Sequence, residues 1–132
     1  MAIQLNHTIV HATDKRASAH HLAHVLGLEV GADTGPFTPV DTGNGVTLDF
    51  ANHPGDDGQG IQSQHYAFLV SEEEFDGIFA RVQEQGITYY SGPTYDDPGN
   101  INRRDDGRGF YWHDPDGHAM EVLTVPYGGF PT

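Results

Sequence analysis

The sequence predicts an α+β fold of two modules, each with the element order β, α, β, β, β. Two internal matches carry this prediction. Strand-like runs that begin at His7 and at His65 are each followed by a helix-capping residue. Later in each half, the runs Gly-Val-Thr-Leu-Asp-Phe and Gly-His-Ala-Met-Glu-Val place an acidic residue, Asp49 or Glu121, four residues after a glycine. The chain is therefore a degenerate tandem repeat.

Chain length sets the expected domain organisation. The 132 residues fit a single domain, with the first module at about 1–52 and the second at about 62–125. A half of about 60 residues would be only marginally stable alone, so we expect the two modules to share a core.

The helix of the first module is predicted between a strand at 4–10 and Gly27. It begins at Thr13, and its apolar stripe is weak because the segment is rich in histidine. His20 and His24 lie one helical turn apart without the glutamate of a His-Glu-x-x-His metal motif, so we expect both to face solvent.

The helix of the second module is predicted over 71–85. Ser71 and Glu74 form a capping box, and Gly86 ends the helix. Four apolar residues then follow the helical spacing i, i+3, i+4 and i+7: Phe75, Ile78, Phe79 and Val82.

The other strands are predicted where β-branched and aromatic residues stand between turn residues. They are expected at 28–32, 37–40, 46–50, 64–70, 87–90, 109–113 and 118–123. The sequence Asp-Pro-Asp-Gly at 114–117 predicts a tight hairpin, further turns are expected at 42–45 and 52–60, and a long polar loop spans 95–107.

Side-chain alternation predicts which face each strand residue occupies. Tyr66 and Phe68 share one face of their strand, and His65 shares the other with small or aliphatic residues. The bulkier set suits packing under the helix, so His65 faces away from it, and the same reasoning applies to Asp49 and Glu121. A sheet that curves away from its helices would gather these side chains in a concave cavity, where the two imidazoles of His7 and His65 and one or two carboxylates can meet a divalent ion.

Composition excludes several classes of partner and site. The formal net charge of −13 argues against nucleic acid and against anionic membranes. Without cysteine, any metal must be bound by histidine and carboxylate. No signal-peptide segment and no run of about 18 apolar residues occurs, so a cytoplasmic protein is expected.

Three segments stand in order along nearly the whole chain: Leu-Asn-His-Thr at 5–8 with Asp14, His-Tyr-Ala-Phe at 65–68, and Phe-Tyr-Trp-His-Asp-Pro-Asp-Gly-His-Ala-Met-Glu at 110–121. They resemble the vicinal oxygen chelate superfamily, which includes glyoxalase I, fosfomycin-resistance thiol transferases, extradiol dioxygenases and bleomycin-resistance proteins. The resemblance implies two βαβββ modules that form a curved, cup-shaped mixed sheet with helices on its outer face. It also implies a homodimer with two sites.

The resemblance further implies one divalent metal ion per site, Fe, Mn, Ni or Zn, bound by His7, His65 and Glu121. Two histidines and one carboxylate with open positions suit oxygen activation at iron and also Lewis-acid catalysis. Asp49 aligns with a further ligand of glyoxalase I. Because aspartate is one methylene shorter than glutamate, we expect Asp49 to act through a water or as a general base.

Residues around the last two strands are the candidates for substrate contact. Tyr111 is expected to point into the cavity, where its phenol can hydrogen-bond a substrate oxygen or act as an acid, and His113 shares its face. Half of the six basic residues lie in or next to the long loop: Arg103, Arg104 and Arg108. Their guanidinium groups suit an anionic substrate, although the two aspartates after Arg104 are alternative partners. Three tyrosines are candidates for an aromatic wall, although strand propensity also explains the first two: Tyr89, Tyr90 and Tyr95.

The leading hypothesis is a metal-dependent enzyme that acts on a small substrate chelated through vicinal oxygens. Isomerase, lyase, transferase and dioxygenase reactions remain open. Fosfomycin-type transfer is less favoured, because Ile9 occupies a position where the thiol transferases carry a hydroxyl. The alternatives are a non-catalytic protein that binds a small molecule or antibiotic, as bleomycin-resistance proteins do, and a structural or regulatory dimer.

Overall fold

Two three-stranded mixed sheets, each with one helix, make up residues 2–54 and 59–126, the part of the chain that the computed structural model describes. These residues form two units that divide after Gln62. The predicted turn at 52–60 lies partly outside the described residues. Within the described ranges, no helix is long and apolar enough to span a bilayer.

The first unit contains β1 (His7–Ala12), α1 (Lys15–Leu26), β2 (Phe37–Asp41) and β3 (Thr47–Asn52). The strand order is β1-β3-β2, with β3 parallel to β1 and antiparallel to β2. Helix α1 packs on this sheet, and Val10, Leu22 and Phe50 are completely buried between the two layers.

The second unit repeats this topology. It contains β4 (His65–Leu69), α2 (Glu72–Glu84), β5 (Gly109–His113) and β6 (Ala119–Leu123) in the order β4-β6-β5. Strand β6 is parallel to β4 and antiparallel to β5. Phe75 and Phe79 of α2 pack on Phe110 of β5, so the helix covers one face of the sheet. The predicted α+β class is confirmed.

Two predicted strands, 28–32 and 87–90, are wrong. Val30 forms one isolated bridge with Val40, and Gly31 N–H donates to the carbonyl of Pro39. In an antiparallel ladder, two paired residues normally donate to each other. Pro39 has no N–H with which to donate to the Gly31 carbonyl, so the ladder stops at this pair. In the second unit, Tyr90 exchanges both backbone bonds with Tyr111, and pairing with β5 goes no further.

The start of α1 is corrected by one residue. Asp14, not Thr13, is the N-cap, because its carboxylate accepts from the backbone N–H groups of Arg16 and Ala17. Gly27 ends the helix with a left-handed φ of 75°, as predicted. The capping box of α2 between Ser71 and Glu74 is confirmed at 2.8 and 3.0 Å.

The predicted faces of β4 agree with its burial, which alternates between exposed and half-buried residues along the strand. Phe110, Trp112, Met120 and Val122 are fully buried on the helix side. His65 and Leu69 lie on the other face, where the Leu69 side chain is 59 % exposed. The face that carries His65 is therefore the one that α2 leaves uncovered.

The predicted hairpin turn at 114–117 joins β5 to β6. Asp114 N–H donates to the His118 carbonyl, and Gly117 N–H donates to the Asp114 carbonyl, both at 3.0 Å. The Asp114 carboxylate is also part of the turn, since its Oδ1 accepts from the N–H groups of Asp116 and His118. Its Oδ2 is buried with no hydrogen-bond partner among the described residues. Burial is the largest influence on this carboxyl and raises the pKa of Asp114.

We predict that Asp114→Asn changes how stability depends on pH. The pKa of Asp114 in the folded protein lies above its usual 3.8. The wild-type protein therefore becomes less stable as pH rises from the pKa of this carboxyl in the unfolded chain through its pKa in the folded protein. Asparagine keeps the oxygen that accepts from the turn and does not ionise. Denaturant titrations between about pH 4 and about pH 7 should therefore show that the free energy of unfolding of the variant rises relative to that of wild type as pH rises. The change should be about 1.4 kcal/mol for each unit by which folding raises the pKa of Asp114. A constant gap across this range would contradict the burial argument.

Candidate metal centre

His65 and Glu121 meet on the uncovered face of the second sheet. In the parallel pairing of β4 with β6, His65 lies opposite Ala119 and Ala67 lies opposite Glu121, so the two side chains share a face two residues apart. His65 Nε2 is 3.0 Å from Glu121 Oε1. The Glu121 side chain is 1 % exposed, and that of His65 is 47 % exposed.

The spacing of these two donor atoms fits a shared metal ion. Metal bonds of about 2.1 Å that meet near a right angle put two donors roughly 3.0 Å apart. Glu121 is a buried carboxylate, which needs a cationic partner to offset its desolvation. The same spacing also suits a hydrogen-bonded ion pair, which is the alternative interpretation of the contact.

Arg104 and Tyr111 border the pair on the side of Glu121 Oε2. Arg104 Nη1 donates to the Tyr111 hydroxyl oxygen at 3.1 Å and lies 4.0 Å from Glu121 Oε2. The Tyr111 ring is buried and stacks beside the His65 imidazole, with centroids 6.0 Å apart. Arg104 belongs to a short 3-10 turn, Arg104–Asp106, in the long loop before β5. A guanidinium and a phenol therefore adjoin the candidate ligands.

An aromatic cluster extends from Tyr111 towards His113. Tyr95 stacks on the His113 ring with centroids 3.8 Å apart, and it meets the rings of Tyr90 and Tyr111 edge-on. Tyr95 adopts a left-handed backbone with φ of 57°, which an L-residue holds only when its surroundings impose it. The sequence pointed to both His113 and Tyr95, and the structure stacks the two rings beside Tyr111.

The other two arginines lie apart from the pair. Arg108 forms ion pairs with Glu72 and Asp76 of α2 at 2.7 and 2.8 Å, and its guanidinium lies 4.3 Å from the centre of the Phe75 ring. These contacts raise the pKa of Arg108, chiefly through the bond to Glu72. Arg103 is exposed. We therefore assign Arg108 to the helix, and Arg104 is the arginine that the structure brings to the candidate site.

His7 and Asp49 lie in the first unit, with the same strand register as their counterparts. His7 is opposite Thr47, and Ile9 is opposite Asp49 in the parallel pair β1 and β3. His7 is exposed, and its Nδ1 contacts Asn6 Oδ1 at 2.7 Å. Across residues 2–54 and 59–126, no cluster of three or more His, Cys, Asp or Glu side chains has metal-site spacing. His65 and Glu121 are thus the predicted ligands that the structure brings together.

The expected solvent exposure of His20 and His24 is observed. His20 lines a shallow cleft of about 310 Å³ in the first unit, together with Arg16, Asp33 and Thr38. Arg16 and Asp33 form an ion pair in this cleft, and Asp33 also accepts from the Thr38 hydroxyl.

Comparison with protein families identifies residues 4–122 as a match to the family described as Glyoxalase/Bleomycin resistance protein/Dioxygenase superfamily. Among curated proteins, a glutathione transferase FosA from Serratia marcescens is 30% identical over 92% of this chain and 81% of its own length.

Two solved structures are much more similar. "Oxidase ChaP-H2" is 55% identical with a TM-score of 0.92, and the match covers 98% of both chains. "Oxidase ChaP-H1" is 52% identical with a TM-score of 0.90 and covers 97% of this chain and 100% of its own.

We predict that Glu121→Gln lowers the pKa of Tyr95 without returning it to 10.0. Burial raises this pKa most, and the negative charge of Glu121 raises it further, since both disfavour the tyrosinate. Removing the charge leaves the burial in place. Carbon-13 NMR of the labelled tyrosine rings measures the change, with Glu73→Gln on the exposed side of α2 as the control. An unchanged pKa in Glu121→Gln would mean that the two side chains are not near each other.

Proposed function

This chain belongs to the Glyoxalase/Bleomycin resistance protein/Dioxygenase superfamily, and from that premise we propose that it is a metal-dependent oxidase of a small molecule with adjacent oxygen atoms. The observation that carries the proposal is the 3.0 Å contact between His65 Nε2 and the buried Glu121 carboxylate. The similarity to two oxidases over almost the whole chain supports oxidation among the chemistries of the superfamily.

His65 and Glu121 are the proposed ligands, and His7 is the proposed third. The support for His7 is the sequence resemblance. This histidine is supplied either by the same chain or by a second copy in a homodimer. A divalent ion in such a site supplies Lewis-acid or redox chemistry. Asp49 is retained as a proposed general base, since its carboxylate occupies the repeat position of Glu121.

Arg104 and Tyr111 are proposed to bind and orient the substrate. A guanidinium that donates to the phenol oxygen fixes the hydroxyl in place, and a fixed hydroxyl can donate its own proton to a substrate oxygen. The positive charge of Arg104 also suits an anionic or enolic oxygen. His113 and Tyr95 supply a stacked ring pair beside Tyr111, which suits an unsaturated substrate edge.

Thiol transfer of the fosfomycin-resistance type is the second candidate, because a glutathione transferase FosA is 30% identical. Against it stands Ile9, an aliphatic and 46 % exposed side chain at the position where the resemblance leads us to expect a hydroxyl. We rank oxidation first for this reason and because the oxidases are the more similar proteins.

The metal content of the purified protein tests the proposed site. Protein prepared without chelators should carry a divalent ion in stoichiometric amount, and His65→Ala should lose it. His24→Ala is the matched control, since His24 is exposed on α1, and it should keep the ion. Mass spectrometry of the metals in the three proteins gives the answer. Because imidazole ligands must be neutral, affinity should fall as pH drops through about 6.

Wild-type protein that takes up no divalent ion, even after incubation with iron, manganese, nickel and zinc, would refute a metal-dependent function. It would favour the alternative in which the chain binds a small molecule without catalysis.

A paired assay separates the two candidate reactions. Iron-loaded protein should consume oxygen with members of a panel of compounds with adjacent oxygens, catechols included, and Glu121→Gln should lower the rate by at least about 100-fold. The same protein should form no adduct from fosfomycin and glutathione. Adduct formation without oxygen uptake would instead support the transferase.

A further inference from the structure

The start of β4 is held by a histidine that takes no part in the proposed chemistry. His118 is 1 % exposed and follows the hairpin turn between β5 and β6. Its Nδ1 accepts a hydrogen bond from the backbone N–H of Gln64, the residue before His65, at 3.0 Å. Since Nδ1 accepts, the ring proton of the neutral imidazole is on Nε2.

Two further bonds attach the same segment to the turn. The Ser63 hydroxyl donates to the Gly117 carbonyl at 2.7 Å, and Ala119 N–H donates to the Gln64 carbonyl at 2.8 Å. The turn is itself braced, because Asp114 Oδ1 accepts from the backbone N–H of His118 at 2.8 Å. Residues 63 and 64 are therefore bonded to the Gly117 carbonyl, the His118 side chain and the Ala119 N–H.

The register at this point decides where His65 points. Strand β4 lies at the edge of its sheet and pairs with β6. A slip of one residue would turn every side chain of β4 to the opposite face, which would put Tyr66 beside Glu121 and His65 under the helix. A fixed acceptor for Gln64 N–H opposes that slip at the residue next to the candidate ligand.

The first unit provides an internal comparison. Thr47 N–H donates to the Asn6 carbonyl at 2.9 Å, just as Ala119 N–H donates to Gln64. The residue that corresponds to His118 there is Val46, whose side chain has no acceptor. The imidazole bond is therefore added only in the repeat that pairs a histidine with a buried glutamate.

We propose that His118 is a positioning residue that fixes the start of β4, so that His65 Nε2 meets the Glu121 carboxylate. The proposal rests on the metal site of the proposed function and deepens it. The plain alternative is that the imidazole only fills core space, where it packs edge-on against Tyr66 with centroids 6.1 Å apart.

Two polar substitutions separate these roles. The side-chain oxygen of His118→Asn occupies the position of Nδ1 and keeps the acceptor for Gln64. The longer side chain of His118→Gln fills more of the space but carries its polar end at the position of Nε2. If His118 positions β4, His118→Asn should behave like wild type. If His118 only fills space, His118→Gln should be the variant that behaves like wild type.

The experiment is a titration of the metal-free, full-length protein with cobalt(II), followed by the visible absorption of the bound ion. His118→Gln should bind cobalt at least about tenfold more weakly than wild type, and His118→Asn should stay within about threefold. Hydrogen exchange of the Gln64 amide should accelerate in the glutamine variant and not in the asparagine variant. This readout does not depend on activity.

Wild-type affinity in His118→Gln, or a larger loss in His118→Asn than in His118→Gln, would overturn the positioning role and leave the metal site intact. Wild-type protein that binds no cobalt would overturn the proposed metal site and this inference with it. If His118→Gln does not fold, His118→Phe replaces it, because phenylalanine keeps a buried ring and removes the acceptor for Gln64. Cobalt binding should weaken by at least about tenfold, and wild-type affinity would contradict the proposal.

Discussion

The parallel pairing of β4 with β6 is the constraint on which the candidate site depends. It sets His65 and Glu121 on one face at a spacing that lets Nε2 and Oε1 approach to 3.0 Å. Packing of α2 on Phe110 covers one face of this sheet, so the face that carries His65 is the one that α2 leaves uncovered. A buried carboxylate lowers the stability of a fold unless a cationic group lies beside it. The stability of this sheet should therefore depend on the cationic partner of Glu121.

The sequence predicted those parts of the structure that short-range rules govern. The capping box of α2, the Asp-Pro-Asp-Gly turn and the alternation that turns His65 and Glu121 away from the helix all depend on neighbours a few residues apart. The strand at 28–32 failed because its partner Pro39, in the separate strand β2, has no N–H to return a hydrogen bond. The partner of each arginine was equally out of reach, since the loop at 95–107 has no periodicity from which to infer that Arg104 approaches Glu121 while Arg108 pairs with α2.

The two repeats show how one topology can carry different chemistry. Both place a histidine and an acidic residue in the same parallel register. The second repeat has the longer acid, a neighbouring arginine and an imidazole bonded at the start of β4, while the first has aspartate and valine in place of the glutamate and the histidine. The proposed binding chemistry is therefore concentrated around Glu121. The proposed contribution of the first repeat is one histidine and a possible base.

Anomalous X-ray diffraction from crystals of iron- or manganese-loaded protein tests the central claim most directly. The account predicts a metal peak within bonding distance, roughly 2.1 Å, of His65 Nε2 and of a Glu121 carboxylate oxygen. A peak elsewhere, for example at the exposed pair His20 and His24, together with an intact bond between His65 and Glu121, would contradict it. In that case the 3.0 Å contact would be a structural ion pair.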